Sequence, residues 1–215
     1  MNDRPKPLIS KRKQPKQARS TSLVADILQA AAQVLADVGA HRFTTTRVAE
    51  KAGVSIGSLY QYFPNKAAIL FGLQTEEWRS TASLLRGILE NRAEPPLERL
   101  RATVHAFVRS EREEAAMRLA LGDAEPFYRN APEAEEPRVS GTRAIQAFLQ
   151  DVLPDVPEPV RMRAGDVIAI SLSEVGERLS ERSSTDVEIQ AYADTLADMF
   201  CAYLEHLQHC SLPGA

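Results

Sequence analysis

The chain has 215 residues, 44% apolar and 26% charged, enough for one large domain or a small domain joined to a larger one. No window approaches 18 uncharged apolar residues, so no membrane span is expected. Two cysteines, Cys201 and Cys210, exclude a disulfide scaffold and suit a reducing cytoplasm. The formal net charge of −3 hides an asymmetry. Residues 1–70 hold eleven Lys/Arg against four Asp/Glu, and residues 71–215 hold fifteen against twenty-five. Such a split points to a polyanion at one end of the chain; a solvated basic tail is the alternative.

Residues 1–19 carry Pro5, Pro7, Pro15 and seven basic residues, with no apolar run after them. A mobile arm is expected there rather than a secretory signal. A helix then starts at Ser20 or Thr21, with Leu23, Ile27, Ala31, Val34, Leu35 and Val38 on one face, and Gly39 stops it. The run Thr44-Thr45-Thr46 can cap a short helix reaching about Ala52. Gly53 ends that helix, and Ser55 can cap the next, whose buried face is Leu59 and Phe63. Asn65 is the expected N-cap of a long helix to about Glu90, bearing Ile69, Leu70, Leu73, Trp78, Leu84, Leu85 and Ile88.

Pro95-Pro96 breaks this helix, and helical patterning resumes from Leu97 to Leu121. Residues 122–141 hold three prolines and many acids, so a loop with short helical pieces is expected. Further helices fit Thr142–Leu153, Val160–Leu179 and Thr185–Leu207, the last opened by the capping box Thr185-Asp186-Val187-Glu188. The best strand candidate, Val167–Ile170, lies inside a helical frame. The class is all-α.

The stretch Gly53-Val54-Ser55-Ile56-Gly57 matches G-x-S-x-G, the elbow of serine hydrolases. That elbow needs a strand before the serine, but Val48–Ala52 is patterned as helix. A helix-turn-helix meets its own requirements better, although an ordinary helical hairpin shares the same turn. Ala49 lets two helices cross closely, Gly53 can take positive φ, and Leu59 closes the core. The second helix would then expose Ile56, Gly57, Ser58, Tyr60, Gln61 and Tyr62 for contact with base edges.

The run FTTTRVAEKAGVSIGSLYQYFPNKAAIL, Phe43 to Leu70, resembles the DNA-binding domain of TetR-family transcriptional regulators, and the likeness extends over about Arg19 to Leu73. It implies a basic arm (1–19), a three-helix DNA-binding domain (20–66) and a helical effector-binding and dimerisation domain (67–215). It also implies that Thr44, Thr45 and Thr46 stand at or beside the phosphate, with Arg47 reaching the DNA backbone. Ser55, Ile56, Gly57 and Ser58 would form the turn that enters the major groove, with Gly57 leaving room for DNA and Ser58 bonding a phosphate. Tyr60 and Tyr62 match DNA-contacting positions, and Lys66 matches a backbone-gripping lysine. Ile56 is expected to touch a thymine methyl. Lys11, Arg12, Lys13, Lys16 and Arg19 would either enter a minor groove or screen phosphate.

In the family the last two long helices pair in a homodimer. The small residues Ala164, Gly165, Ala169, Ser171, Ser173 and Gly176 fit close approach there, or equally an intrachain core. A small-molecule effector pocket is implied among the middle helices, with Trp78, Phe107, Met117, Phe127, Tyr128, Phe148 and Met162 as candidate lining or plain core. His206, His209 and Cys210 have a zinc-compatible spacing, but an exposed helix end is the simpler expectation, so no metal and no cofactor are expected. The expected function is a cytoplasmic repressor that releases a palindromic double-stranded DNA operator when effector binds. The alternative is a DNA-binding architectural or anti-assembly protein without an effector. No catalytic residue is expected.

Overall fold

The computed structural model describes residues 18–113, 115–122, 135–181 and 185–210. Most of these residues are helical, with no strand among them. The elements are α1 (Ala18–Arg42), α2 (Thr45–Lys51), α3 (Ile56–Tyr62), α4 (Lys66–Leu89), α5 (Pro96–Glu113), α6 (Ala115–Gly122), α7 (Glu135–Val152), α8 (Glu158–Glu181) and α9 (Asp186–Cys210). Two compact units form, one up to Glu77 with Ala116–Arg138, the other Trp78–Ala115 with Val139 onward. The division between the units at Glu77 and Trp78 falls within α4.

In the first unit, α1 lays Val24, Ile27, Leu28, Ala31, Val34 and Leu35 into the core. Gly39 stands at the non-helical φ 71° and ψ 170°, so the helical path of α1 breaks there as expected and a short helical piece follows to Arg42. Residues Ser22–Arg42 are apolar and long enough to cross a membrane by composition. Their apolar face is consumed by packing instead, since Ile27 and Ala31 are fully buried and α1 packs on α2. Gly72 of α4 sits where an added Cβ would lie 3.0 Å from Leu28 Cδ2 and 3.2 Å from Phe63 Cε1. That glycine lets α4 close on α1 and on the residue ending α3.

In the second unit α5 packs against both α8 and α9. Its buried residues, Leu100, Thr103, Val104, Phe107, Val108 and Glu111, recur every three or four positions, as one buried helical stripe requires. Ile189, Ala193, Leu196, Phe200, Leu204 and Leu207 do the same on α9. The capping box forms: Thr185 N donates to Glu188 Oε2 at 2.8 Å, and Glu188 N donates to Thr185 Oγ1 at 3.3 Å.

One helix expectation changes: α7 begins at Glu135, seven residues before the expected Thr142. Acids and a proline at a helix start favour the first turn, so 135–141 belongs to α7 rather than to a loop with short helical pieces. Two of the small residues of α8 have partners inside the chain. An added Cβ on Gly165 would lie 2.9 Å from Gln146 Cγ of α7, and one on Gly176 would lie 2.7 Å from Phe107 Cε1 of α5. These glycines serve close packing inside the chain.

Candidate nucleic-acid interface

The turn between α2 and α3 is a Schellman motif built by Gly53. Val54 N donates to Ala49 O at 3.0 Å and Gly53 N to Glu50 O at 3.2 Å, with Gly53 at φ 67°. A β-carbon is disfavoured at that φ, which is why glycine stands there. Ala49 and Leu59 are both buried, at the crossing and in the core as expected. Ser55 caps α3: its Oγ accepts from Ser58 N at 3.0 Å and lies 2.8 Å from Ser58 Oγ. Thr44 caps α2 in the same way, accepting from Arg47 N at 3.3 Å.

These two caps hold the N-termini of α2 and α3. Ile56, Gly57, Tyr60 and Gln61 are exposed along α3, and Ser58 is half-buried. A Cβ added to Gly57 would meet only Ser55 Oγ, at 3.8 Å, so the space outside this residue is open to a partner. Thr44 and Thr46 are exposed and Thr45 half-buried. Thr45 Oγ1 lies 3.1 Å from Tyr60 Oη, so the two hydroxyls tie α2 to α3 at the surface.

Three expected contacts stand differently. Tyr62 is buried, at 6% exposure, because one turn beyond Leu59 the helix returns to the core side. Arg47 Nη1 donates to Arg42 O at 2.6 Å. Lys66 Nζ donates to Ala40 O at 2.5 Å and lies 5.9 Å from the centroid of the Phe43 ring. Partial burial pulls the Lys66 ammonium below the ordinary lysine pKa. Both cations therefore bind carbonyls at the C-terminal end of α1, where the helix dipole is negative. Arg47 keeps further guanidinium donors for phosphate. Lys11, Arg12, Lys13 and Lys16 lie outside the described residues.

Of the expected pocket residues, Phe107 and Phe148 are core of the second unit, Trp78 and Met117 are half-buried, and Met162 is exposed. Phe127 and Tyr128 lie outside the described residues. At the end of α9, Cys210 Sγ lies 3.5 Å from His206 Nε2, and His209 Nδ1 lies 2.7 Å from Glu205 O. No group of three or more His, Cys, Asp or Glu that could hold a metal occurs among the described residues. Cys201 is buried and Cys210 exposed, and both are free.

Known proteins agree with this geometry. Residues 27–73 match the model of bacterial regulatory proteins of the tetR family, and residues 95–207 match the tetracyclin repressor-like C-terminal domain. The nucleoid occlusion factor SlmA of Vibrio campbellii is 35% identical over 112 residues, 51% of this chain and 57% of that protein. SlmA of Alteromonas mediterranea is 46% identical over 55 residues, 26% of this chain and 28% of that one. The chain thus spans little more than half the length of the curated relatives it matches, or less.

Among solved structures, a TetR-family regulator of Mesorhizobium loti aligns with TM-score 0.71 at 14% identity, covering 87% of this chain and 98% of that one. The fatty acid degradation regulator FadR of Bacillus halodurans aligns with TM-score 0.65 at 20% identity, covering 87% and 97%. These two likenesses speak for the fold alone. With both family models matched in chain order over the helix-turn-helix and the helical domain behind it, the chain belongs to the TetR family of DNA-binding transcriptional regulators, which are not enzymes.

Proposed function

We propose that the chain is a homodimeric repressor that holds a palindromic operator and releases it when a small-molecule effector binds. The observation that carries the DNA half of this reading is the exposed N-terminal turn of α3. Ile56 and the open space at Gly57 stand beside the capped Ser55 and the Thr45–Tyr60 hydroxyl pair. Thr44, Thr46, Ser58, Gln61 and the remaining donors of Arg47 would position the phosphates, and α3 would read the bases.

The dimer is supported by apolar side chains left exposed on the two long helices. Val167 and Ile170 lie on α8, and Tyr192, Met199 and Tyr203 on α9, with exposures between 36% and 62%. Surface of this kind on paired helices fits burial against a second copy. One helix-turn-helix contacts too few bases to select a site, whereas two select half-sites about one helical turn apart. The protein would act in the cytoplasm, on the nucleoid.

A second reading is a DNA-bound factor without an effector, in keeping with the SlmA relatives, whose name is nucleoid occlusion factor. Selection of bound sequences from a random duplex pool, followed by mapping of bound chromosomal sites, separates the two. A palindrome concentrated at a few promoters supports the repressor. The same palindrome dispersed over the chromosome, away from promoters, supports the second reading. Absence of any sequence preference overturns both.

A further inference from the structure

The last turns of α9 bring two soft-metal donors together. Cys210 Sγ lies 3.5 Å from Nε2 of His206, one helical turn before it, and both residues are exposed. Zinc holds sulfur at about 2.3 Å and imidazole nitrogen at about 2.0–2.1 Å, and a tetrahedral angle between those bonds sets the two donors about 3.6 Å apart. The two side chains thus already stand at the separation that one metal ion requires. His209 departs from the pair, its Nδ1 lying 2.7 Å from Glu205 O. Spacing in the chain admitted either histidine, and the structure favours His206.

Two donors make half a site. Structural zinc takes four Cys or His ligands. Among the described residues no group of three or more His, Cys, Asp or Glu that could hold a metal occurs. A second copy of the chain is the natural source of the other half. Met199, Tyr203, His206 and Cys210 follow at intervals of four, three and four, so they share one face of α9. Met199 and Tyr203 are 53% and 36% exposed and belong to the surface assigned above to the homodimer. A two-fold axis presents every residue of such a face twice, so the apolar stripe runs on into a paired set of metal donors. Two thiolates also match the charge of one divalent cation, leaving a neutral centre of two sulfurs and two nitrogens.

We propose that His206 and Cys210 form half of a zinc site, and that the same pair of a second copy completes it between the C-terminal ends of the two α9 helices. The completion rests on the homodimer proposed above. On binding, each Cys210 thiol releases its proton to solvent and each His206 ring gives a nitrogen lone pair, with no change of oxidation state. Because only the dimer holds four donors, zinc favours the dimer over separate chains.

The metal-free full chain, kept reduced, is titrated with Co²⁺ and then with Zn²⁺, and sedimentation follows its association with and without metal. Co²⁺ is expected to give the visible bands of tetrahedral coordination and a thiolate charge-transfer band, saturating at one ion per two chains and removed by Zn²⁺. Zn²⁺ is expected to tighten the dimer at least about tenfold. Cys210→Ser and His206→Gln, both at exposed positions, are each expected to abolish these effects with helicity unchanged, while His209→Gln keeps them. Absence of the Co²⁺ bands, saturation at one ion per chain, or bands that survive loss of Cys210 or His206 overturns the site. A chain that is dimeric without metal and gives any of these results loses the zinc site and keeps the homodimer. A chain that stays monomeric with and without Zn²⁺ loses the homodimer, and the four-ligand site with it.

Discussion

The hydroxyls of Thr45 and Tyr60 lie 3.1 Å apart, joining the first residue of α2 to the exposed side of α3. This pair fixes where the Tyr60 ring stands on the exposed side of α3, the side proposed to meet DNA. Tyr60→Phe and Thr45→Val are each expected to weaken operator binding by about 2- to 10-fold, the worth of one hydrogen bond. Because both remove the same bond, the double variant should cost less than the sum. Fluorescence anisotropy on a labelled duplex measures all three, and full additivity would show that the pair does not act as a unit.

Gly57 should separate stability from binding. It lies in the first turn of α3, where an added Cβ meets nothing closer than 3.8 Å. Gly57→Ala is expected to leave the fold intact or stabilise it by up to about 1 kcal/mol, as alanine does relative to glycine in a helix. Operator affinity is expected to fall at least about tenfold, since one methyl group would hold the backbone off the groove. Thermal unfolding and anisotropy on the same sample read the two signs.

Lys66 should behave as a structural residue. Its ammonium is held by Ala40 O, so Lys66→Met is expected to cost about 1.5–3 kcal/mol of stability, the range for a bond to a charged group. The salt dependence of DNA binding is expected to change by well under one phosphate contact. A pH dependence accompanies this. Burial lowers the Lys66 pKa, so between that value and 10.5 the unfolded chain binds more protons than the folded one. Stability should therefore rise with pH through that window in the wild type, and the variant should lack this component. A variant that keeps its stability but loses a full unit of salt slope would return Lys66 to the DNA.

The apolar residues on α8 and α9 carry the dimer proposal. Ile170 and Met199 are 62% and 53% exposed, so a charge at either costs the isolated chain little. Ile170→Glu with Met199→Glu is expected to yield a folded monomer in sedimentation, with operator affinity lost by two orders of magnitude or more as the second half-site is released. A variant that remains dimeric would place the interface elsewhere.

Much of the first unit was legible in the chain because its signals are local. Gly53 needs a positive φ, Ser55 and Thr44 need only the backbone three residues on, and the 3.6-residue period places Leu59 inward. The same locality explains the capping box at Thr185 and the all-α class. Where two competing readings used the same letters, as at Gly53–Gly57, the helical pattern before Ser55 removed the hydrolase.

What the chain could not disclose depends on neighbours distant in sequence. Arg47 donates to Arg42 O and Lys66 to Ala40 O, carbonyl partners that the order of letters does not assign to them. Tyr62 shares a helix with the exposed Tyr60 but falls on its other side. Gly165 and Gly176 fitted a dimer seam equally well until α7 and α5 were found within one methyl group of them. Arg86, Arg92, Arg99 and Arg143 are scattered along the chain, and only packing brings them to the lining of one cleft. Sequence by itself determined the helices, their caps and the helix-turn-helix, because short-range hydrogen bonds and periodicity decide those. Tertiary structure alone decided which charges face solvent and which hold the fold together, because desolvation and partner choice depend on groups that meet only after folding.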